Sequence, residues 1–172
     1  MKKTHKLTMT AMLIAIGTIS SNLVSIPIGF TRVFPVQHFL NVLSAVLLGP
    51  YYAVAQALCV SLIRNLMGTG SIFAFPGSMV GALLASLLFL KTRKIYLAFL
   101  GEVIGTGILG ALLCYPIATL ILGQKATLFG FIPLFIFSSF AGALLGFVIL
   151  TIFIRKNVVM MGESKAKIMK IK

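Results

Sequence analysis

From Leu7 to Ile154 the sequence is a succession of apolar runs separated by short breaks rich in Gly, Pro or basic residues. Most runs approach the length of about 20 apolar residues that a helix needs to cross a bilayer core. Charged residues make up 10% of the chain, against about 25% in soluble domains, so a water-facing surface cannot be built from it. Fifteen basic residues against two acids, a formal net charge of +13, would suit nucleic acid, but they cluster between apolar segments. This arrangement excludes an ordinary cytosolic enzyme and a disordered basic protein. It makes the lipid bilayer the expected partner, and not nucleic acid.

The runs are Leu7 to Ile26, Phe39 to Met67, Gly77 to Leu90, Ile95 to Leu122 and Gly130 to Ile154. The second would measure roughly 43 Å as one helix, too long for an upright span. Gly49-Pro50 divides it, because Pro is favoured in the first turn of a new helix. Charge decides the same way. With the split, Lys2, Lys3, Lys6, Lys91, Arg93, Lys94, Arg155, Lys156 and the four tail lysines share one side, against Arg32, Arg64 and Lys125 on the other. Basic residues accumulate in cytoplasmic loops. The expected fold is therefore all-α: an integral membrane bundle of six transmembrane helices, with N and C termini cytoplasmic and the second and third helices short or tilted. Residues 1–156 form the membrane domain in this reading. Residues 157–172 form a basic cytoplasmic tail, either lying on anionic lipid or serving as a disordered topology anchor. The opening Lys-Lys-Thr-His-Lys imitates a signal peptide, but the apolar stretch is too long and no Ala-x-Ala site follows, so it reads as an uncleaved first helix. The expected location is the cell membrane, crossed several times.

Several chemistries have no residues to support them. No G-x-x-x-x-G-K-[ST] sequence occurs, so ATP is not expected to bind this chain through a P-loop. His5 and His38 lack Cys or carboxylate companions, so no metal site is expected. Glu102 is the sole acid within the spans, which leaves no carboxylate pair for acid–base catalysis, and no G-x-S-x-G elbow appears. Cys59 and Cys114 both fall within spans, where a structural disulfide is not expected. The chain reads as a non-enzyme with no catalytic residues and no cofactor of its own. One intramembrane acid also argues against self-powered pumping. What remains is a small bundle that binds something and draws its energy from elsewhere.

Polar and aromatic residues converge near one side of the membrane. Phe34-Pro-Val-Gln37-His38-Phe-Leu-Asn41 opens the second helix, Arg64-Asn65 ends the third, and Gly68-Thr69-Gly-Ser71 leads into Phe73-Ala-Phe75-Pro-Gly-Ser78. Irregular backbone at membrane depth is tolerated where it is buried in protein or lines a cavity. The composition suits a small, flat heteroaromatic ligand, stacked on Phe rings and hydrogen-bonded by amides, His38 and Arg64. The candidate substrate-binding residues are Gln37, His38, Asn41, Arg64, Asn65, Thr69, Ser71, Phe73, Phe75 and Ser78. Tyr115 and Asn22, in the outer halves of their helices, either line the cavity or make structural hydrogen bonds. His38 could also be a plain helix-end residue, and Arg64 could snorkel to the headgroups. Glu102, about 10 Å from the cytoplasmic start of its helix, reads as a snorkelling partner of Arg93 or Lys94, or as a contact to ligand or partner subunit. A direct pair with Arg64 is not expected, since the two differ in depth by about 10 Å. Gly77/Gly81, Gly101/Gly105 and Gly142/Gly146 read as packing pairs, and Ala11-Met-Leu-Ile-Ala15 is a small-x-x-x-small pair on the first helix.

Together these features resemble the S components of energy-coupling factor transporters. More narrowly, Phe34-Pro-Val-Gln-His-Phe-Leu-Asn41, Ser61-Leu-Ile-Arg-Asn-Leu66 and Gly68-Thr-Gly-Ser71 through Phe75-Pro-Gly-Ser78 look like the ThiW subfamily. The resemblance implies a substrate-capture subunit for the thiamine precursor hydroxyethylthiazole, a nearly neutral thiazole-type ligand. It also implies a transmembrane coupling subunit and two cytoplasmic ATPase subunits that use ATP, with Ala11 and Ala15 as the docking face. The cavity would open outward, walled by the loop between helices one and two and by helices four to six. Other readings remain at this point: an autonomous carrier or channel, or an S component for thiamine or a related precursor. An intramembrane enzyme would need turnover that depends on Glu102 or His38, and neither has a visible catalytic partner.

Overall fold

The computed structural model describes residues 2–23, 26–28, 31–123, 125 and 127–169, with side chains except in 21–33 and 155–169. Six helices follow one another: α1 (Lys3–Leu23), α2 (Pro35–Leu47), α3 (Pro50–Leu66), α4 (Ala74–Thr92), α5 (Ile95–Ile121) and α6 (Ile132–Met169). Ala74–Thr92, Ile95–Ile121 and Ile132–Ile154 are long and apolar enough to cross a membrane. α2 and α3, at 13 and 17 residues, are shorter. The connection between α1 and α2 is a small antiparallel hairpin, β1 (Ile26–Ile28) with β2 (Thr31–Val33), in which Pro27 faces Arg32. The division at Gly49-Pro50 is a sharp turn: Gly49 takes φ +90, open to glycine, and Pro50 begins α3. α4 starts inside what reads as loop, because Pro76 falls in its first turn, where its missing N–H has no helical partner to lose.

The shortest helix is the hub. α2 packs against each of the other five, and its buried residues include Gln37, His38, Asn41 and Ser44 beside Leu40, Val42 and Ala45. Elsewhere many of the buried side chains are small, among them Ala53, Ala57, Ala82, Ala85 and Ala98, while Leu83, Leu87, Leu90, Leu100, Ile104, Ile108 and Leu113 point outward. Small and polar groups inside with large apolar ones outside reverse the order of a water-soluble core and suit a hydrocarbon surround.

Glycine sets how closely α4 and α5 approach. A Cβ on Gly101 would lie 2.8 Å from Ala85 Cα, one on Gly105 2.8 Å from Gly81 Cα, and one on Gly110 2.5 Å from Gly77 Cα. Steps of four on α4 therefore meet a step of four and then a step of five on α5. The longer step coincides with a π-helical turn over Gly105–Gly110, whose i→i+5 bonding keeps Gly110 on the contact face. A second π-helical turn over Ile117–Ile121 follows Pro116.

Candidate functional site

The first turns of α2, α4 and α6 and the last turn of α3 enclose a cavity of about 260 Å³. It is lined by Phe34, Gln37, His38, Arg64, Ser71, Phe73, Ala74, Ser78, Phe131, Leu134, Phe135 and Ser138. The size lies just under the roughly 300 Å³ at which drug-sized pockets begin, so it suits a compact ligand.

Each wall is fixed by specific bonds. The Phe34 N–H donates to Ser138 Oγ (3.2 Å), tying the start of α2 to α6. Arg64 reaches back from α3: its guanidinium carbon sits 3.8 Å from the Phe34 ring centroid. Its Nη1 donates to Gln37 Oε1, and Nη2 donates to the Thr69 carbonyl at 3.2 Å. Gln37 Nε2 in turn donates to Ser61 Oγ (3.1 Å). Arg64 is 1% exposed and meets no carboxylate among the described residues. Its charge is instead spread over an amide, a carbonyl and a π face. Phe73 and Phe131 stand with centroids 4.9 Å apart, and Phe131 meets Phe135 edge-on at 6.4 Å. These rings form the apolar wall.

Behind the cavity lies a carboxylate cluster. Glu102 is fully buried, and its Oε1 accepts from His38 Nδ1 (2.9 Å), Asn41 Nδ2 (2.9 Å) and Thr106 Oγ1 (3.0 Å). The sequence expectation of a snorkelling pair with Arg93 or Lys94 is therefore corrected. Counting residues from a helix start measures depth along the axis but not rotation around it. The close α4–α5 approach through Gly81 and Gly105 turns Glu102 and Thr106 inward together. Arg93 and Lys94 are exposed, and Lys94 Nζ lies 5.9 Å from the Tyr96 ring centroid.

Of the residues singled out from sequence, Gln37, His38, Arg64, Ser71, Phe73 and Ser78 come together on the lining. Asn41 stands one layer deeper, its Nδ2 within 3.1 Å of Ser78 Oγ as well as bonded to Glu102. Asn65 and Thr69 shape the loop instead. Asn65 Nδ2 donates to the Ser61 and Ser71 carbonyls (2.8 and 3.1 Å), and the Thr69 and Gly70 N–H groups both donate to the Arg64 carbonyl. Phe75, in the first turn of α4, and Tyr115, on α5, are half-buried and off the lining. The side chains of Asn22 and Arg32 and those of the basic tail lie outside the described residues. Ala11 and Ala15 are exposed on α1, on the face that also carries Met12, Ile16 and Ile19.

The described lining takes no residue from α5. It does take Phe131, Leu134, Phe135 and Ser138 from the start of α6, none of which stands out from sequence. Their i, i+3, i+4, i+7 spacing is one helix face, and Ser138 is the polar residue within it that could have marked that face.

Fold and site together define a lipid-suited helical bundle with one end hollowed into a small, aromatic-walled pocket that carries a few fixed polar groups. Comparison with curated proteins and with solved structures gives no match. Residues 7–156 match the ThiW family, described as thiamine-precursor transporter protein, and the chain belongs to that family.

Proposed function

We propose that this chain is the substrate-capture subunit of an ATP-driven importer of the energy-coupling factor type, and that its ligand is hydroxyethylthiazole. The carrying observation is the pocket. In a family of thiamine-precursor transporters, a cavity of about 260 Å³ walled by Phe73, Phe131 and Phe135 suits one substituted ring better than the two rings of thiamine. In this reading all six helices cross the cell membrane with both termini cytoplasmic, as the lysine and arginine distribution favours, and the pocket opens outward. α2, roughly 20 Å long, is too short to face lipid across a whole bilayer, and its position inside the other five helices removes that requirement. Partner ATPase subunits use the ATP, and a coupling subunit docks on α1 at Ala11 and Ala15, whose exposure supports that role.

The test is calorimetric titration of the purified chain with hydroxyethylthiazole, thiamine and a hydroxymethylpyrimidine. The thiazole is expected to bind tightest, and binding of thiamine or the pyrimidine alone would overturn the assignment. Docking is tested separately. Ala11→Trp or Ala15→Trp is expected to abolish uptake in cells while leaving the titration unchanged, because α1 contributes no residue to the described lining. A parallel loss of binding would remove the docking role. Accumulation of thiazole against a gradient by the chain alone in liposomes would show an autonomous carrier instead.

A further inference from the structure

We infer that His38, oriented by Glu102, selects ligands that carry a hydroxyl hydrogen-bond donor; this assignment rests on the pocket reading above. His38 lines the cavity while only 8% exposed. One ring nitrogen, Nδ1, is committed to Glu102 Oε1 at 2.9 Å. Among the described residues Nε2 has no hydrogen-bond partner, and it is not among the solvent-shielded polar atoms, so it is the nitrogen that faces the cavity. A carboxylate oxygen only accepts, which places the proton on Nδ1. In the neutral ring Nε2 is then an acceptor with nothing to donate. Glu102 acts through His38 as a positioning residue. Asn41 and Thr106 hold the carboxylate in place through the same oxygen.

The other polar groups of the lining lean the opposite way. Gln37 Oε1 is already taken by Arg64, so Gln37 and Arg64 present N–H groups. The hydroxyls of Ser71, Ser78 and Ser138 each already accept a bond, from the Phe73 N–H, Asn41 Nδ2 and the Phe34 N–H respectively. Among the described lining side chains, the His38 nitrogen is thus the one committed acceptor. A site built around a buried acceptor rejects a ligand that cannot donate to it, because the acceptor is then desolvated without a partner. The ligand class this geometry takes is a small heteroaromatic alcohol, with its ring against the phenyl wall and its hydroxyl donating to His38. Its ring nitrogen and ether-like positions are left to the donors.

The experiment uses the full chain in detergent, with hydroxyethylthiazole and its O-methyl ether as probes. The alcohol is expected to bind the native chain about tenfold more tightly than the ether, the effect of one unmade hydrogen bond to a buried acceptor. In Glu102→Gln the amide oxygen still accepts from Nδ1–H, so the preference is expected to persist, whereas in His38→Phe, which removes the acceptor, the ratio is expected to fall toward one. Histidine is present only at positions 5 and 38, so ¹⁵N labelling of histidine, with His5→Gln for assignment, reads the tautomer of the native chain without a variant at the site. Protonated Nδ1 with bare Nε2, and an Nε2 signal that moves with the alcohol but not the ether, is the expected pattern. Equal affinities, or a proton on Nε2, would overturn the role of His38 while leaving the thiazole assignment standing. Failure of both probes to bind would overturn both.

Discussion

Glu102→Ala is expected to lower the stability of the purified chain by about 3 kcal/mol, the range for removing one partner of a buried charged cluster. Three donors converge on Glu102 Oε1, and two of them, His38 Nδ1 and Asn41 Nδ2, come from the central helix α2. Without the carboxylate they sit in an interior that holds no other acid among the described residues. Thr106 is less affected, because its hydroxyl also reaches the Gly77 carbonyl at 3.0 Å. The thermal midpoint in detergent should fall by roughly 6 °C or more, and thiazole binding should be lost with it, since His38 loses its orientation. Glu102→Gln keeps an acceptor of the same shape and should lose less than half as much stability. A midpoint unchanged by Glu102→Ala would mean that α2 and α5 are not joined through this cluster.

That cluster also marks where sequence reasoning stops. The apolar runs, their basic punctuation and the Gly49-Pro50 division are one-dimensional features, and the helices follow them except that α6 continues past Ile154 to Met169. The polar lining residues Gln37, His38, Arg64, Ser71 and Ser78 were legible because amides, hydroxyls and cations stand out against an apolar background. Rotation around a helix axis was not legible. In a chain with apolar residues on all sides of its helices, hydrophobic periodicity does not say which face is inside. Hence the sequence leaves Glu102 open to Arg93 or Lys94, a ligand or a partner subunit, and does not mark Phe131, Leu134 and Phe135 as lining. The signal that orients α5 lies in its glycines: Gly101, Gly105 and Gly110 match Ala85, Gly81 and Gly77 only if a π-helical turn is allowed. Asn65 illustrates a different limit. Its residue type suits a ligand contact as well as a loop clasp, and only the positions of the Ser61 and Ser71 carbonyls decide for the clasp.

Gly142→Ala should destabilise the protein by about 2 kcal/mol, although the same change in a helix interior ordinarily stabilises by up to about 1 kcal/mol. The sign reverses because of what lies opposite. A Cβ at Gly142 would overlap the Pro35 carbonyl oxygen, and it would lie 2.8 Å from the Pro35 carbonyl carbon and 2.9 Å from His38 Cβ. Backbone atoms of a first helical turn cannot swing aside as a side-chain tip can, so α2 and α6 must separate, and overpacking of this kind costs about 1–3 kcal/mol. The separation falls at the site itself. Gln37 and His38 stand on one side of the crossing, with Phe135 and Ser138 on the other, and the Phe34 N–H to Ser138 Oγ bond spans it. Thiazole affinity should therefore drop with stability, by about tenfold or more if one polar contact is lost. Gly146→Ala, one turn further along α6, provides the internal comparison. There the nearest atom is Val42 Cβ at 3.1 Å, with the Phe39 carbonyl at 3.3 Å, so a shift of a few tenths of an ångström suffices and the cavity is not in line with it. Its thermal midpoint and affinity should stay close to those of the native chain. Equal effects from the two substitutions would mean that the α2–α6 crossing does not set the width of the pocket.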